Sequence, residues 1–307
     1  MTIRKIAALA AATTLGLSLA ACGSDDPTES SGAPDSSSSS DTITIGSAAF
    51  PENEIIAEIY AQALEAKGVT VEKKLNIGAR EVYIKALQGG EIDLVPEYSG
   101  NLLSYFDPET KATAADEVED ALDDALPEGL ETLEASAAED KDSLNVTADF
   151  AAANKLTTIA DLKNVDGLKL GANPEFKTRS YGIPGLESVY GITGIEFTAL
   201  SDGGGPATLK ALLDGKVDVA DIYSTTPSIV ENNLVTLEDP ESLIAAQNVL
   251  PLINEEKATD TVEDVLDSIS AQLTTQDLLD LNGKNQGADK TAPADLAKEW
   301  LTAKGLI

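Results

Sequence analysis

Two stretches of this chain follow one pattern 125 residues apart. Ala86-Leu87-Gln88-Gly89-Gly90-Glu91-Ile92-Asp93-Leu94 runs on into Val95-Pro96-Glu97-Tyr98-Ser99. Ala211-Leu212-Leu213-Asp214-Gly215-Lys216-Val217-Asp218-Val219 runs on into Ala220-Asp221-Ile222-Tyr223-Ser224. Ala-Leu, Gly, Asp, Tyr and Ser match at that offset, and so do Gly46 and Gly171, each closing a first strand. A helix, a glycine turn and a strand with Tyr at its carboxyl end, present twice, imply two similar α/β lobes. Ligands of open α/β sheets sit at the carboxyl ends of the strands. Two facing lobes would therefore set Tyr98 and Tyr223 across one cleft.

The rest of the pattern agrees. Thr42-Ile43-Thr44-Ile45-Gly46 alternates as a strand does. Pro51 opens a helix with Glu52 and Glu54 in its first turn, apolar residues recur from Ile55 to Leu64 at helical spacing, and Gly68 ends it. Val69 to Leu75 reads as a second strand, Arg80 to Gln88 as a helix and Ile92 to Val95 as a third strand. Alternating strands and helices imply a mainly parallel sheet. Gly203-Gly204-Gly205 before a helix from Pro206 lacks phosphate-loop spacing and reads as a turn and helix start.

The 307 residues suffice for two modest domains. There is no His and a single Cys, Cys22. Histidine acid–base chemistry, Ser-His-Asp and Cys-His pairs, Cys/His zinc sites and an internal disulfide are therefore excluded. No loop has calcium-ligand spacing, so neither a metal nor any other cofactor is expected. Lys and Arg number 21 against 53 Asp and Glu, a formal net charge of −32. Such a chain repels nucleic acid and anionic lipid headgroups. An enzyme working with carboxylates alone stays open as a class, but no paired-carboxylate motif supports it.

Residues 1–21 carry Arg4 and Lys5 and then an apolar stretch too short for a confident membrane span. They end in Leu19-Ala20-Ala21-Cys22, which resembles the lipobox of bacterial lipoproteins. That resemblance implies a signal peptide at 1–21, lipidation of Cys22 and a lipid anchor on the extracytoplasmic face of the membrane. Residues 22–41, rich in Ser, Asp and Pro, read as a disordered tether.

Several segments together resemble the substrate-binding proteins of ABC importers for glycine betaine, choline and related osmoprotectants. They are Ile43 to Phe50, Gly78 to Leu87, Gly90 to Gly100, Phe176 to Gly191, Gly215 to Ser224 and Leu273 to Leu301. The resemblance implies an α/β, two-lobe type II periplasmic-binding-protein fold with a hinge and a central ligand cleft. It divides the chain into lobe 1 at 42–143 plus 252–307 and lobe 2 at 144–251, with crossings near 144–147 and 249–254. It implies a monomer that takes up a small solute and docks on an importer permease, and no catalysis. In the family a quaternary ammonium sits in a cage of tyrosines, because a methylated ammonium donates no hydrogen bonds and is held by aromatic faces. Tyr98 and Tyr223 match two cage positions, whereas Asp142 and Leu209 stand at two others and Ala48 at a position often polar. Asp142 reads as a carboxylate for a cation or as a solvated residue. Arg179 and Arg80 read as forks for a ligand carboxylate or as surface salt bridges. Asn101 and Glu97 read as cleft residues or as turn and cap residues. The alternatives left open are a binding protein of the same fold for an uncharged or aromatic solute, and a sensor without a transport role.

Overall fold

A computed structural model describes residues 42–307. The segments expected as signal peptide and tether, with Cys22, lie outside the described residues. The strands are β1 (Thr42–Ala48), β2 (Thr70–Gly78), β3 (Leu94–Tyr98), β4 (Leu130–Thr132), β5 (Leu144–Thr147), β6 (Lys169–Ala172), β7 (Glu196–Ala199), β8 (Val219–Asp221), β9 (Leu234–Thr236) and β10 (Val249–Asn254). The helices are α1 (Pro51–Ala66), α2 (Arg80–Gln88), α3 (Ser99–Phe106), α4 (Ala115–Ala125), α5 (Ala148–Asn154), α6 (Ile183–Tyr190), α7 (Pro206–Leu213), α8 (Ser228–Glu231), α9 (Asp260–Ser270), α10 (Thr275–Gln286) and α11 (Pro293–Lys304).

Two five-stranded sheets form, in the orders β2-β1-β3-β10-β4 and β7-β6-β8-β5-β9. The first three strands of each are parallel, and the fourth is antiparallel to both its neighbours. The orders superpose with β1, β2 and β3 answering to β6, β7 and β8. The fourth place is exchanged: β10 returns from late in the chain to close the first sheet, and β5 crosses early to close the second. The pairing of β10 puts residues 249–251 in the first sheet, so the lobe boundary set at 251/252 falls inside one strand.

The internal repeat extends to single hydrogen bonds. Asp93 Oδ2 accepts from the Thr44 amide at 2.8 Å, and Asp218 Oδ2 accepts from the Lys169 amide at 3.0 Å, at the same offset. Gly90 and Gly215 make the preceding turns with φ of +69° and +68°, the left-handed region that suits glycine. Gly46 lies under Ile92, where an added Cβ would stand 2.5 Å from the Ile92 Cδ1, and Gly171 lies in the same way under Val217 and Leu200.

Strand β3 runs on to Tyr98, past the end expected at Val95. Pro96 stands opposite Pro251 of β10, and neither has an N–H to give, so two prolines facing each other leave the ladder intact. Helix α1 is buried along most of its length, among α9, α10, α11 and the first sheet. Its start is pinned by Asn53, whose Oδ1 accepts from the Ala48 amide at 2.7 Å while its Nδ2 donates to the Pro96 carbonyl at 2.9 Å. This tie sets the carboxyl ends of β1 and β3 side by side. Among the described residues, no helix is long and apolar enough to cross a membrane.

Candidate functional site

The carboxyl ends of β1, β3 and β6, with the residues after them, converge on a cavity of about 270 Å³. It lies between the lobes and falls just below the usual range for small-molecule sites. Of the residues singled out from the sequence, Tyr98, Tyr223, Arg179, Asp142, Arg80 and Asn101 line it, and Glu97 does not.

Each tyrosine is held by its hydroxyl. Tyr98 donates to Glu52 Oε1 at 2.8 Å, and Tyr223 accepts from Asn173 Nδ2 at 2.8 Å. Asn173 is itself fixed by the Gly203 amide, which donates to its Oδ1 at 3.1 Å. Burial, reinforced by nearby carboxylates, pushes both phenols well above their ordinary range, so they stay neutral. Phe50 bridges the pair, with its ring centroid 5.9 Å from that of Tyr98 and 5.3 Å from that of Tyr223. Three aromatic rings from two lobes therefore share one wall. Sequence reasoning missed Phe50, although it stands two residues beyond the end of β1, where the strand-end rule points.

The two arginines differ in what they are free to do. Arg80 is buried and gripped by Glu97 through two bonds of 2.8 Å, from Nε and from NH2. Tyr83 donates to the same carboxylate at 2.7 Å. Burial opposes the charge on Arg80, but Glu97 outweighs it and holds the guanidinium firmly protonated. The surface-salt-bridge reading of Arg80 is thus corrected to a buried, bidentate pair, and Glu97 serves as its partner rather than as a cavity wall. Arg179 donates from NH1 to the Tyr181 hydroxyl at 2.9 Å and reaches across to Glu81 of α2 at 3.3 Å, a contact between the lobes. Glu81 is 41% exposed, so this bridge is the looser of the two.

Asp142 is only 6% exposed, which replaces the solvated reading. Its Oδ2 accepts from Asn101 Nδ2 at 2.7 Å, and Asn101 is clamped in turn by the Gln247 side chain through bonds of 3.0 and 2.8 Å. Asp140, two residues earlier, also lines the cavity and was not singled out. Its Oδ1 accepts from Ser224 Oγ and the Thr225 amide, both at 3.1 Å. Behind it Glu52 gathers Tyr98, Thr225 and Asn282 through bonds of 2.8, 2.6 and 2.6 Å. Leu209 is absent from the cavity wall, while Ala48 is part of it. Among the described residues no cluster of His, Cys, Asp and Glu is arranged to hold a metal ion.

Two α/β lobes joined by exchanged strands, with a small aromatic-walled cavity between them, define a two-lobe architecture of the periplasmic-binding-protein type. The family model described as the substrate binding domain of ABC-type glycine betaine transport systems matches residues 41–303, and the chain belongs to that family. Glycine betaine-binding protein YehZ of Escherichia coli is 29% identical over 276 residues, covering 84% of this chain and 90% of that protein. The carnitine transport binding protein OpuCC of Listeria monocytogenes is 26% identical over 277 residues, covering 86% and 87%. The crystal structure of a glycine betaine/carnitine/choline ABC transporter protein superposes with a TM-score of 0.67 at 20% identity, over 86% of this chain and 99% of that one.

Proposed function

We propose that the cleft binds a small quaternary-ammonium solute of the glycine betaine, carnitine and choline class and presents it to the permease of an ABC importer. The observation that carries this reading is the wall formed by Phe50, Tyr98 and Tyr223, with buried carboxyl groups beside it. A methylated ammonium offers no hydrogen-bond donor, and aromatic faces with nearby negative charge suit it. In this reading Tyr98 and Tyr223 face the ammonium, Asn101 and Asp142 complete the polar side, and Arg179 meets an acid group where the solute has one. Arg80, held in a bidentate pair by Glu97, shapes the wall instead. The solute draws the lobes together, and the closed form docks on the permease. The protein acts as a monomer without catalysis, tethered through a lipid on Cys22.

Calorimetric titration with glycine betaine, carnitine and choline tests the reading. Trp300, the sole tryptophan, packs in the core formed by α1 and α9–α11, so intrinsic fluorescence is a poor reporter of the cavity. Saturable binding of one of these solutes supports the assignment. A folded protein that binds none of them, but captures an uncharged or aromatic solute, overturns it.

A further inference from the structure

The two arginines of the cavity wall are paired unequally, and the looser pair faces a second cavity. That cavity, of about 190 Å³, adjoins the first, since Arg80, Asn101 and Arg179 line both. Glu81, in the first turn of α2, lines the second cavity but not the first. Its carboxylate meets a single nitrogen of Arg179, NH2, at 3.3 Å from one oxygen and 3.4 Å from the other. Charge-assisted bonds of good geometry are about 2.7–2.9 Å long. The Arg80–Glu97 pair makes two of them, from separate nitrogens. Burial separates the pairs further. The Glu97 side chain has no exposed surface, whereas that of Glu81 is 41% exposed. A partner held at long range and open to water is one that another carboxylate can replace. Arg179 therefore stands between two competitors: Glu81 on the side of the second cavity, and any acid group of a solute in the first.

We propose that Glu81 is a specificity-determining residue of the cleft: it engages Arg179 while the cleft is empty, and a solute with an acid group must draw the guanidinium away from it. The idea rests on the quaternary-ammonium reading and deepens it by ranking solutes within that class. A zwitterion gains a bond to Arg179 but gives up the Glu81 contact, so its net gain is the difference between the two. A bare cation such as choline leaves the bridge in place and loses nothing. The bridge also joins α2 of the first lobe to Arg179 of the second. Removing it therefore alters lobe closure for every solute alike, and the ratio between solutes is what isolates the competition.

The test is calorimetric titration of the unaltered chain, Glu81→Gln, Arg179→Met and the double variant with choline, glycine betaine and carnitine. Glu81 is partly exposed and Gln keeps its length, so Glu81→Gln should fold as the unaltered chain does, which circular dichroism checks. In that variant the affinities for glycine betaine and carnitine, relative to choline, should rise by about fivefold, the scale of one partly exposed ion pair. In Arg179→Met the same ratio should fall. Adding Glu81→Gln to Arg179→Met should then move it little, because the two acids no longer share a cation. A ratio that Glu81→Gln leaves unchanged or lowers overturns the proposal: Glu81 then ties the lobes together and does not select. A ratio that rises by the same factor with and without Arg179 also overturns it, since the effect is then only the loss of one negative charge near the cleft. Either result leaves the quaternary-ammonium reading intact. A folded chain that binds none of the three solutes overturns both.

Discussion

Tyr98 and Tyr223 do different work although the repeat makes them equivalents. Tyr98 donates a hydrogen bond to Glu52, deep in the first lobe, and Tyr223 accepts one from Asn173 at the edge of the second. Tyr223→Phe therefore keeps the ring and releases only Asn173, and should leave affinity for a quaternary-ammonium solute within a fewfold of wild type. Tyr223→Ala removes a ring face worth up to about 2 kcal/mol and should weaken binding by tenfold or more. Calorimetric titration of the two variants separates ring from hydroxyl; equal losses would refute the aromatic-face argument. The Arg80–Glu97 pair belongs to stability rather than to binding. Glu97→Leu strands a buried guanidinium and should cost about 3–5 kcal/mol in urea unfolding. Arg80→Met combined with Glu97→Leu removes both charges and should recover most of that loss. If the double variant is no more stable than the single one, the pair is not the self-contained unit described here.

Among the elements, the repeat is what the sequence shows most clearly. Gly, Asp and Tyr recur because each lobe uses them in the same way: the glycine for its left-handed turn, the aspartate for its bond to that lobe's first strand, the tyrosine at the strand end. Helix α1 is equally legible, with Pro51 at its start and acids in its first turn. What stayed hidden depends on residues far apart in the chain. Nothing near Pro96 shows that β10 will offer Pro251 in register, so β3 reads as ending early. Nothing in the Arg80 segment shows that Glu97 pairs with it, and Phe50 and Asp140 enter the cavity only once both sheets are placed. The equivalence of the lobes also sets an expectation at the element scale. Gly46→Ala forces a Cβ against the Ile92 Cδ1, and overpacking of this kind costs about 1–3 kcal/mol. Ile92→Val removes the obstructing methyl and should restore much of the loss in Gly46→Ala, as chemical denaturation of the single and double variants will show. A double variant no better than Gly46→Ala would place the strain elsewhere in the β1–β2–α2 layer.

For the whole molecule, the distribution of carboxyl groups couples stability to pH. Asp140 and Asp221 are held well above the usual carboxylate range, first by burial and then by the acid beside each, Glu52 and Asp142. Glu52 is raised too, by burial that its three donors only partly offset. An acid whose pKa is higher folded than unfolded binds its proton more tightly in the folded state. Its contribution is complete below the unfolded value, about 3.9 for Asp, and is lost as pH rises through the folded value. The 53 acidic against 21 basic residues push the same way, since self-repulsion grows as pH rises. Groups shifted downward, such as Asp277 and Asp161, hold their contribution through this range and lose it only in stronger acid. The protein should therefore be more resistant to urea at pH 5.5 than at pH 7.5. Asp140→Asn tells the buried pair from the general repulsion, because the amide keeps the Oδ1 that accepts from Ser224 and Thr225 and supplies Glu52 with a donor that does not titrate. That variant changes net charge by one yet should gain stability at pH 7.5 and lose a clear part of the pH slope. A remote surface substitution such as Asp289→Asn, which changes the charge equally, should leave the slope as it was. If both substitutions flatten the slope alike, self-repulsion alone governs it and the buried carboxyls are ionised without cost.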